Sequence, residues 1–564
     1  MGMESDELHE RIEALAERAV DSLAAAHPFG ASMIGIRDYD AEVGDISEQG
    51  ENQVIEGLEG IATEAESIDA SELADEDRIT REILILHCRY GATEMKGRLR
   101  ELEAAPTFGS AHAEVIELVP KVSLTTAEQA GAYIQRCSKL GRYLEQGAER
   151  LRTGVAHGRG PVERAVRDSI EQLDRYLATN VDDDVFLIEP PPNWEQSDEW
   201  RRELRETIAT IVRPAVGAYK DSLAEIVSDS RPDDRCGLTW IEDGDSIYRD
   251  LVATNTTTDL SPDRLHETGI EVISRLEDEY RELAGEVLGE PDVASIFERL
   301  RSDPDLRFRT SSDVFDAAEA ALRRAQAAVP KWFGRLPETE CVVREIPPIE
   351  APTTTIAYYM PPAIDGSRPG TYWINTYAPD TRPTYECEAL AFHESVPGHH
   401  LQIALAQELD LPRFRRVVEF TAFVEGWALY TERLADEMGL YSSDLARLGM
   451  LSFDSWRACR LVVDTGIHAM GWSRDRAIDF MRNNSPLALN NIENEVDRYI
   501  AMPGQALAYM VGRLEIERLR AGAETKLGNK FNVSGFHDAL LEHGSVPLST
   551  LSRLIDEWAE QQAN

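Results

Sequence analysis

A mainly α-helical fold with one small antiparallel β-sheet is predicted by three features of this sequence. Apolar residues recur at spacings of three and four through about the first 330 positions. Between about 341 and 375 the texture changes to β-branched and aromatic runs bounded by turn residues. Helical spacing resumes at about 383 and continues to the end. The first helix carries Leu8, Ile12, Leu15 and Ala19, with Ser5 as its cap. Residues 71–100 repeat the pattern with Leu73, Ile79, Ile83, Leu86 and Tyr90. Further helices are predicted over 126–153, 161–179, 197–229, 261–288 and 311–329, parted by Pro-rich breaks at 189–192 and 230–233. No fixed period runs through them, which argues against a solenoid.

The strands are predicted over 341–346, 353–360 and 371–375, with a turn over 365–370. This sheet is either a structural cap or an edge able to take an extended peptide by strand addition. The chain thus divides into an N-terminal helical region, 1–338, and a region 339–564 that carries the sheet, the two forming one integrated unit.

The net charge is -44, from 102 acidic and 58 basic residues, and all but seven of the basic residues are Arg. Phosphate-binding surfaces need basic patches, so nucleic acid and anionic membrane are not expected partners. The acid-rich, Lys-poor composition resembles that of haloarchaeal proteins, in which strong salt screens self-repulsion. The acidic N-terminus lacks the basic start and apolar stretch of a signal peptide, and no run of about 18 apolar residues occurs, so a cytoplasmic protein is expected. The six cysteines form no C-x-x-C pair and are expected to be reduced and buried.

Residues 393–400, His-Glu-Ser-Val-Pro-Gly-His-His, gather three of the chain's twelve histidines beside a glutamate. Zinc hydrolases with H-E-x-x-H place two ligand histidines on one helical face and their general base between them. Here Pro397 occupies the position of the second His. In a straight helix residues six apart are separated by about 240° and about 9 Å, and residues seven apart by about 10.5 Å, so His393 could pair with neither later His. Pro397 removes the straight helix, and Gly398 allows a sharp bend that would return His399 or His400 to His393. A third ligand is expected from a neighbouring helix. Glu425, set among Phe423, Val424, Trp427 and Leu429, is the candidate, with Gly426 permitting close helix approach. Glu432, seven residues on and on the same face, is placed to orient a ligand His.

These residues, together with Pro503-Gly504-Gln505-Ala506 and Tyr509, resemble the domain-of-unknown-function 885 family. That family is similar in turn to helical zinc peptidases of the angiotensin-converting-enzyme, thimet-oligopeptidase and Taq-carboxypeptidase type. The resemblance implies two helical lobes flanking a deep cleft, with Zn²⁺ held by His393, His399 and Glu425. It favours His399 over His400 as the second ligand, and implies that Tyr509 donates to the oxyanion, with Tyr499 in reserve.

Downstream, Arg457, Arg460, Asp464 and His468 form one polar stripe at spacings of three and four. It is either a salt-bridged exposed face or a wall of the cleft; in the second case His468 would donate to an oxyanion and an Arg would hold a peptide carboxylate. The expected function is hydrolysis of short peptides by a zinc-dependent peptidase. Glu394 would take a proton from the activated water and pass it to the leaving amine. Mn²⁺ or Co²⁺ would also accept this ligand set. The rival readings are another metal-dependent amide or ester hydrolase, and a non-catalytic helical scaffold with a degenerate site.

Overall fold

The computed structural model describes residues 2–106, 109–348, 351 and 355–563, with side chains from residue 6 onward. The first helix, Gly2–Ala26, already includes Ser5, which is therefore not its cap, and the start of the second strand, Thr353 and Thr354, lies outside the described residues. Among the described residues the fold is mainly helical with one three-stranded sheet.

Local signals set the helix ends. Ala127–Ala156 starts at a reciprocal box, the Thr126 side chain accepting the Gln129 N–H while Gln129 bonds back to the Thr126 backbone. Pro262–Leu288 starts on the Ser261 side chain, with proline in its first turn. The stretch expected as one helix over 197–229 is interrupted. Ser197–Thr207 gives way to a π-turn over Ile208–Val212 before Arg213–Ile226 resumes, because Pro214 has no N–H for the preceding turn.

Two apolar cores result. The smaller joins residues between Phe29 and Ile226, chiefly on the helices from Ala127 to Ile226. The larger runs from Ile12 to Ala559 and draws on both sides of position 338. Its axis is the helix Asp444–His468, every residue of which is buried from Leu448 to His468. The stripe of Arg457, Arg460, Asp464 and His468 is therefore neither a solvated face nor an open wall; it lies inside the core. Pro262–Leu288, Cys387–Glu394 and Arg474–Asn484 pack around this axis.

The strands β1 (Cys341–Glu345), β2 (Ala357–Met360) and β3 (Gly370–Ile374) are ordered β1-β3-β2. The sheet is mixed, which corrects the antiparallel expectation. β2 pairs antiparallel with β3, Tyr359 opposite Tyr372, but β1 runs parallel to β3, Cys341 opposite Gly370. Side-chain alternation marks a strand without saying which neighbour it joins, and β1 reaches the far edge of β3 through the intervening loop.

The helices Thr421–Glu437 and Ala508–Leu527 cross at Gly426 and Gly512. A Cβ on Gly512 would stand 1.8 Å from the Ala422 carbonyl oxygen and 2.7 Å from Gly426 Cα. This backbone contact fixes Tyr509 against Glu425's helix. Gly512→Ala is expected to lower unfolding free energy by about 3 kcal/mol, read as an earlier urea midpoint. Gly522→Ala, on the same helix where a Cβ meets nothing within 4 Å, is expected to leave the midpoint unchanged or raise it slightly.

Candidate metal centre

The motif helix Cys387–Glu394 ends where Ser395 bonds back to the Ala391 carbonyl through its N–H (2.9 Å) and its hydroxyl (2.5 Å). The chain turns through Val396, Pro397 and Gly398, and a new helix, His399–Glu408, begins. The His400 N–H donates to the Ser395 carbonyl at 3.0 Å, and Trp427 Nε1 donates to the Pro397 carbonyl at 3.0 Å. A Cβ on Gly398 would lie 1.9 Å from the His393 carbonyl oxygen and 2.4 Å from that of Phe392. Gly398 is thus required by the close approach of the returning chain to the helix it has just left.

This turn brings His399 to His393. Their rings are nearly perpendicular, 89° apart, with centroids 4.7 Å apart. Glu425 Oε2 lies 3.5 Å from His393 Nε2 and 3.4 Å from His399 Nε2. One ligating atom from each of the three residues falls within 4.8 Å of the others. Two ligands held at about 2.0–2.1 Å around a tetrahedral zinc stand about 3.4 Å apart, so the two Glu425 distances match such an ion. Glu425 Oε2 is buried and lacks a hydrogen-bond partner among the described residues. A buried carboxylate oxygen left this way is costly unless a cation faces it. The donor set, two imidazoles and a carboxylate, suits Zn²⁺ on that ground.

Glu432, fully buried, holds the other side of His393: its Oε1 accepts from Nδ1 at 2.8 Å. That bond places the proton on Nδ1 and aims the Nε2 lone pair at the cluster. Arg457 Nη2 lies 3.7 Å behind Glu432 Oε1. Burial works to lower the pKa of His393, but the Glu425 and Glu432 carboxylates outweigh it and raise the value to about 9. Burial likewise works to raise Glu425, and His399 and His393 outweigh it, holding the carboxyl well below its usual range.

Of the adjacent histidines, His399 faces the cluster and His400 does not. His400 Nδ1 meets the Tyr359 hydroxyl at 2.9 Å and Nε2 meets the Thr339 carbonyl at 3.0 Å. Both nitrogens are used, with Nε2 the donor. Tyr359, on β2, also stacks on the His399 ring at 6.4 Å, a neighbour the sequence did not single out. Glu394 is partly exposed beside His393. The Tyr509 ring lies nearly parallel to that of His393, at 6.3 Å.

His468 is a correction. Its Nε2 donates to the Tyr499 carbonyl at 2.9 Å and its Nδ1 accepts from the Leu238 N–H at 3.2 Å. Burial lowers its pKa to about 4. It is a neutral ring tying three chain segments together, with no proton free for an oxyanion. The Tyr499 hydroxyl is similarly engaged, accepting from Trp456 Nε1 and Arg460 Nε, both at 2.9 Å. Cys387 is buried, and burial pushes its thiol up to about 12, so it stays protonated.

These positions predict which histidine matters. His399→Ala is expected to abolish stoichiometric zinc uptake after dialysis, whereas His400→Ala keeps it. Glu432→Gln is expected to weaken zinc about 10–100-fold in chelator competition, since it replaces the charged acceptor that orients His393 with a neutral amide.

The whole chain superimposes on solved structures. It is 26% identical, with a TM-score of 0.91, to the crystal structure of a "putative lipoprotein" from Colwellia psychrerythraea, covering 98% of this chain and 99% of that one. A "putative lipoprotein of unknown function" from Shewanella oneidensis shares the fold at a TM-score of 0.70 and 16% identity, over 96% of this chain and 98% of its own. No curated protein matches the sequence. Among the described residues no helix is long and apolar enough to cross a membrane. Residues 28–555 match the family model described as bacterial protein of unknown function, DUF885, and the chain belongs to that family.

Proposed function

We propose that this protein is a zinc-dependent peptidase acting on short peptides. The observation that carries the reading is the buried, unpartnered Glu425 oxygen facing the Nε2 atoms of His393 and His399 at ligand-to-ligand distances. A bound zinc would polarise the scissile carbonyl and make water acidic enough to attack near neutral pH.

The chain's own residues divide the remaining work. Glu394, adjacent to His393 and partly exposed, takes the proton of the attacking water and delivers it to the leaving amine. Tyr509 donates its hydroxyl to the oxygen that gains charge. Glu432 keeps His393 in the tautomer and orientation that ligation needs. The β2 edge, whose Tyr359 borders His399, gives an extended peptide a strand to lie against. A cleft between two helical lobes would limit access to short, unfolded substrates. The net charge of -44 suits a salt-rich cytoplasm and disfavours nucleic acid and anionic membrane as partners.

The test joins metal content to turnover. Zinc-loaded protein is expected to cleave members of a short-peptide library, and Glu394→Gln to keep its zinc while kcat falls by at least about 100-fold. A chain that stays metal-free after dialysis against zinc, or that cleaves esters and no peptide, would overturn the reading. Full activity in Glu394→Gln would remove Glu394 as the base.

A further inference from the structure

His393 and His399, the two candidate ligand histidines, are held in different ways. His393 is oriented by a hydrogen bond, from its Nδ1 to Glu432 Oε1 at 2.8 Å. His399 is not. Its Nε2 faces Glu425 Oε2 at 3.4 Å, but its Nδ1 is buried without a hydrogen-bond partner among the described residues. A ligand histidine usually gives its second ring N–H to a carboxylate, carbonyl or water, which fixes tautomer and orientation together. No protein group does this for His399, so packing has to set its ring.

Two rings border it. The ring of His393 is nearly perpendicular, with centroids 4.7 Å apart, and that of Tyr359 lies within 19° of parallel at 6.4 Å. Tyr359 stands on β2, only partly buried, so something must keep its ring in place. The group that does so is His400. The Tyr359 hydroxyl meets His400 Nδ1 at 2.9 Å. The Nε2 of His400 donates to the Thr339 carbonyl at 3.0 Å, which leaves Nδ1 to accept the phenol proton. The His400 main-chain N–H is bonded in turn to the Ser395 carbonyl at 3.0 Å. Gly370 of β3 lies against the pair: a Cβ there would stand 2.4 Å from His400 Nδ1 and 2.6 Å from the Tyr359 hydroxyl. The bond is thus packed against strand backbone, with no room for a side chain beside it.

We propose that His400 is a positioning residue for the metal ligand next to it: by holding the Tyr359 hydroxyl it keeps the phenol ring against His399, and the His399 Nε2 directed at Glu425. The inference rests on the metal centre of the peptidase reading and not on the reaction. It gives the doubled histidine two tasks, His399 offering a nitrogen and His400 fixing the ring beside it. The two ligands are then unequal. A carboxylate behind an imidazole raises its basicity; His393 has one in Glu432, and His399 has a neutral aromatic wall instead.

The experiment measures zinc affinity by chelator competition, and the visible spectrum of the Co²⁺-loaded protein, for the wild type, Tyr359→Phe, His400→Leu and His400→Asn. Tyr359→Phe and His400→Leu are expected to weaken zinc about 10-fold, the lower end for loss of a group behind a ligand, and to shift the Co²⁺ bands, which follow ligand placement. His400→Asn, whose amide oxygen can accept the phenol proton, is expected to recover most of the affinity. A site weakened this far still fills on dialysis, so uptake stays stoichiometric and competition carries the readout. Thermal melts of the zinc-free proteins register the structural share of the bond. Earlier melting with wild-type zinc affinity and an unshifted Co²⁺ spectrum would make the bond structural only and overturn the inference. So would an affinity in His400→Asn no better than in His400→Leu. If His400→Leu does not fold, Tyr359→Phe decides, since it lacks a single oxygen. A wild-type chain that binds neither ion overturns the metal reading itself, and this inference with it.

Discussion

Gly398 passes so near the carbonyl oxygens of Phe392 and His393 that no side chain fits there, and the candidate centre depends on that contact. Pro397 stops the first helix, the chain folds back over its last turn, and His399 starts a second helix facing the first. A continuous helix would carry the two ligand rings to different faces and about 9 Å apart along the axis. The reversal brings the ring centroids to 4.7 Å. The turn is held from outside as well, by the Trp427 indole on the Pro397 carbonyl. Trp427 lies two residues from Glu425, so the helix that supplies the third candidate ligand also clamps the turn that supplies the second.

Charge in the core follows from the same arrangement. His393, Glu432 and Arg457 form a buried row in which each group compensates the next. Removing the middle member would leave an imidazole without its acceptor and a guanidinium without its counter-charge, and such losses exceed the net worth of the pair. The helix Asp444–His468 can carry the stripe of Arg457, Arg460, Asp464 and His468 through an apolar core because each one meets a partner or an aromatic face. Arg457 lies on Phe453 and Trp456, Asp464 takes the Tyr248 hydroxyl, and His468 takes two main-chain groups.

Much of this could be read from the residues. Periodicity located the helices, and β-branched runs located the strands. The approach of His393, His399 and Glu425 was legible because Pro397 and Gly398 are the residues that make a sharp return feasible, and because Glu425 stands alone among apolar neighbours. Glu432 was legible from its seven-residue offset. What escaped the sequence was partnership. Spacing put Arg457, Arg460, Asp464 and His468 on one stripe but could not say that other helices cover it. His468 looked like a donor beside a cleft, yet Leu238 and Tyr499, each distant in the chain, use both its nitrogens. The direction of β1 and the choice between His399 and His400 depended on contacts with β3 and Tyr359 that no local pattern encodes.

The crossing at Gly426 and Gly512 also bears on the order in which the molecule assembles. The helix Ala508–Leu527, which carries Tyr509 and Gly512, is backed by Leu548–Ala563, and that last helix reaches the N-terminal half through the bond from Thr550 to Glu82. During synthesis His393, His399 and Glu425 therefore emerge well before the segments that enclose them. The three residues can meet before Ala508–Leu527 is backed by Leu548–Ala563. Contacts spanning such sequence distances form late and slowly, so the three candidate ligands and the helix crossing beside them are assembled at different stages of folding.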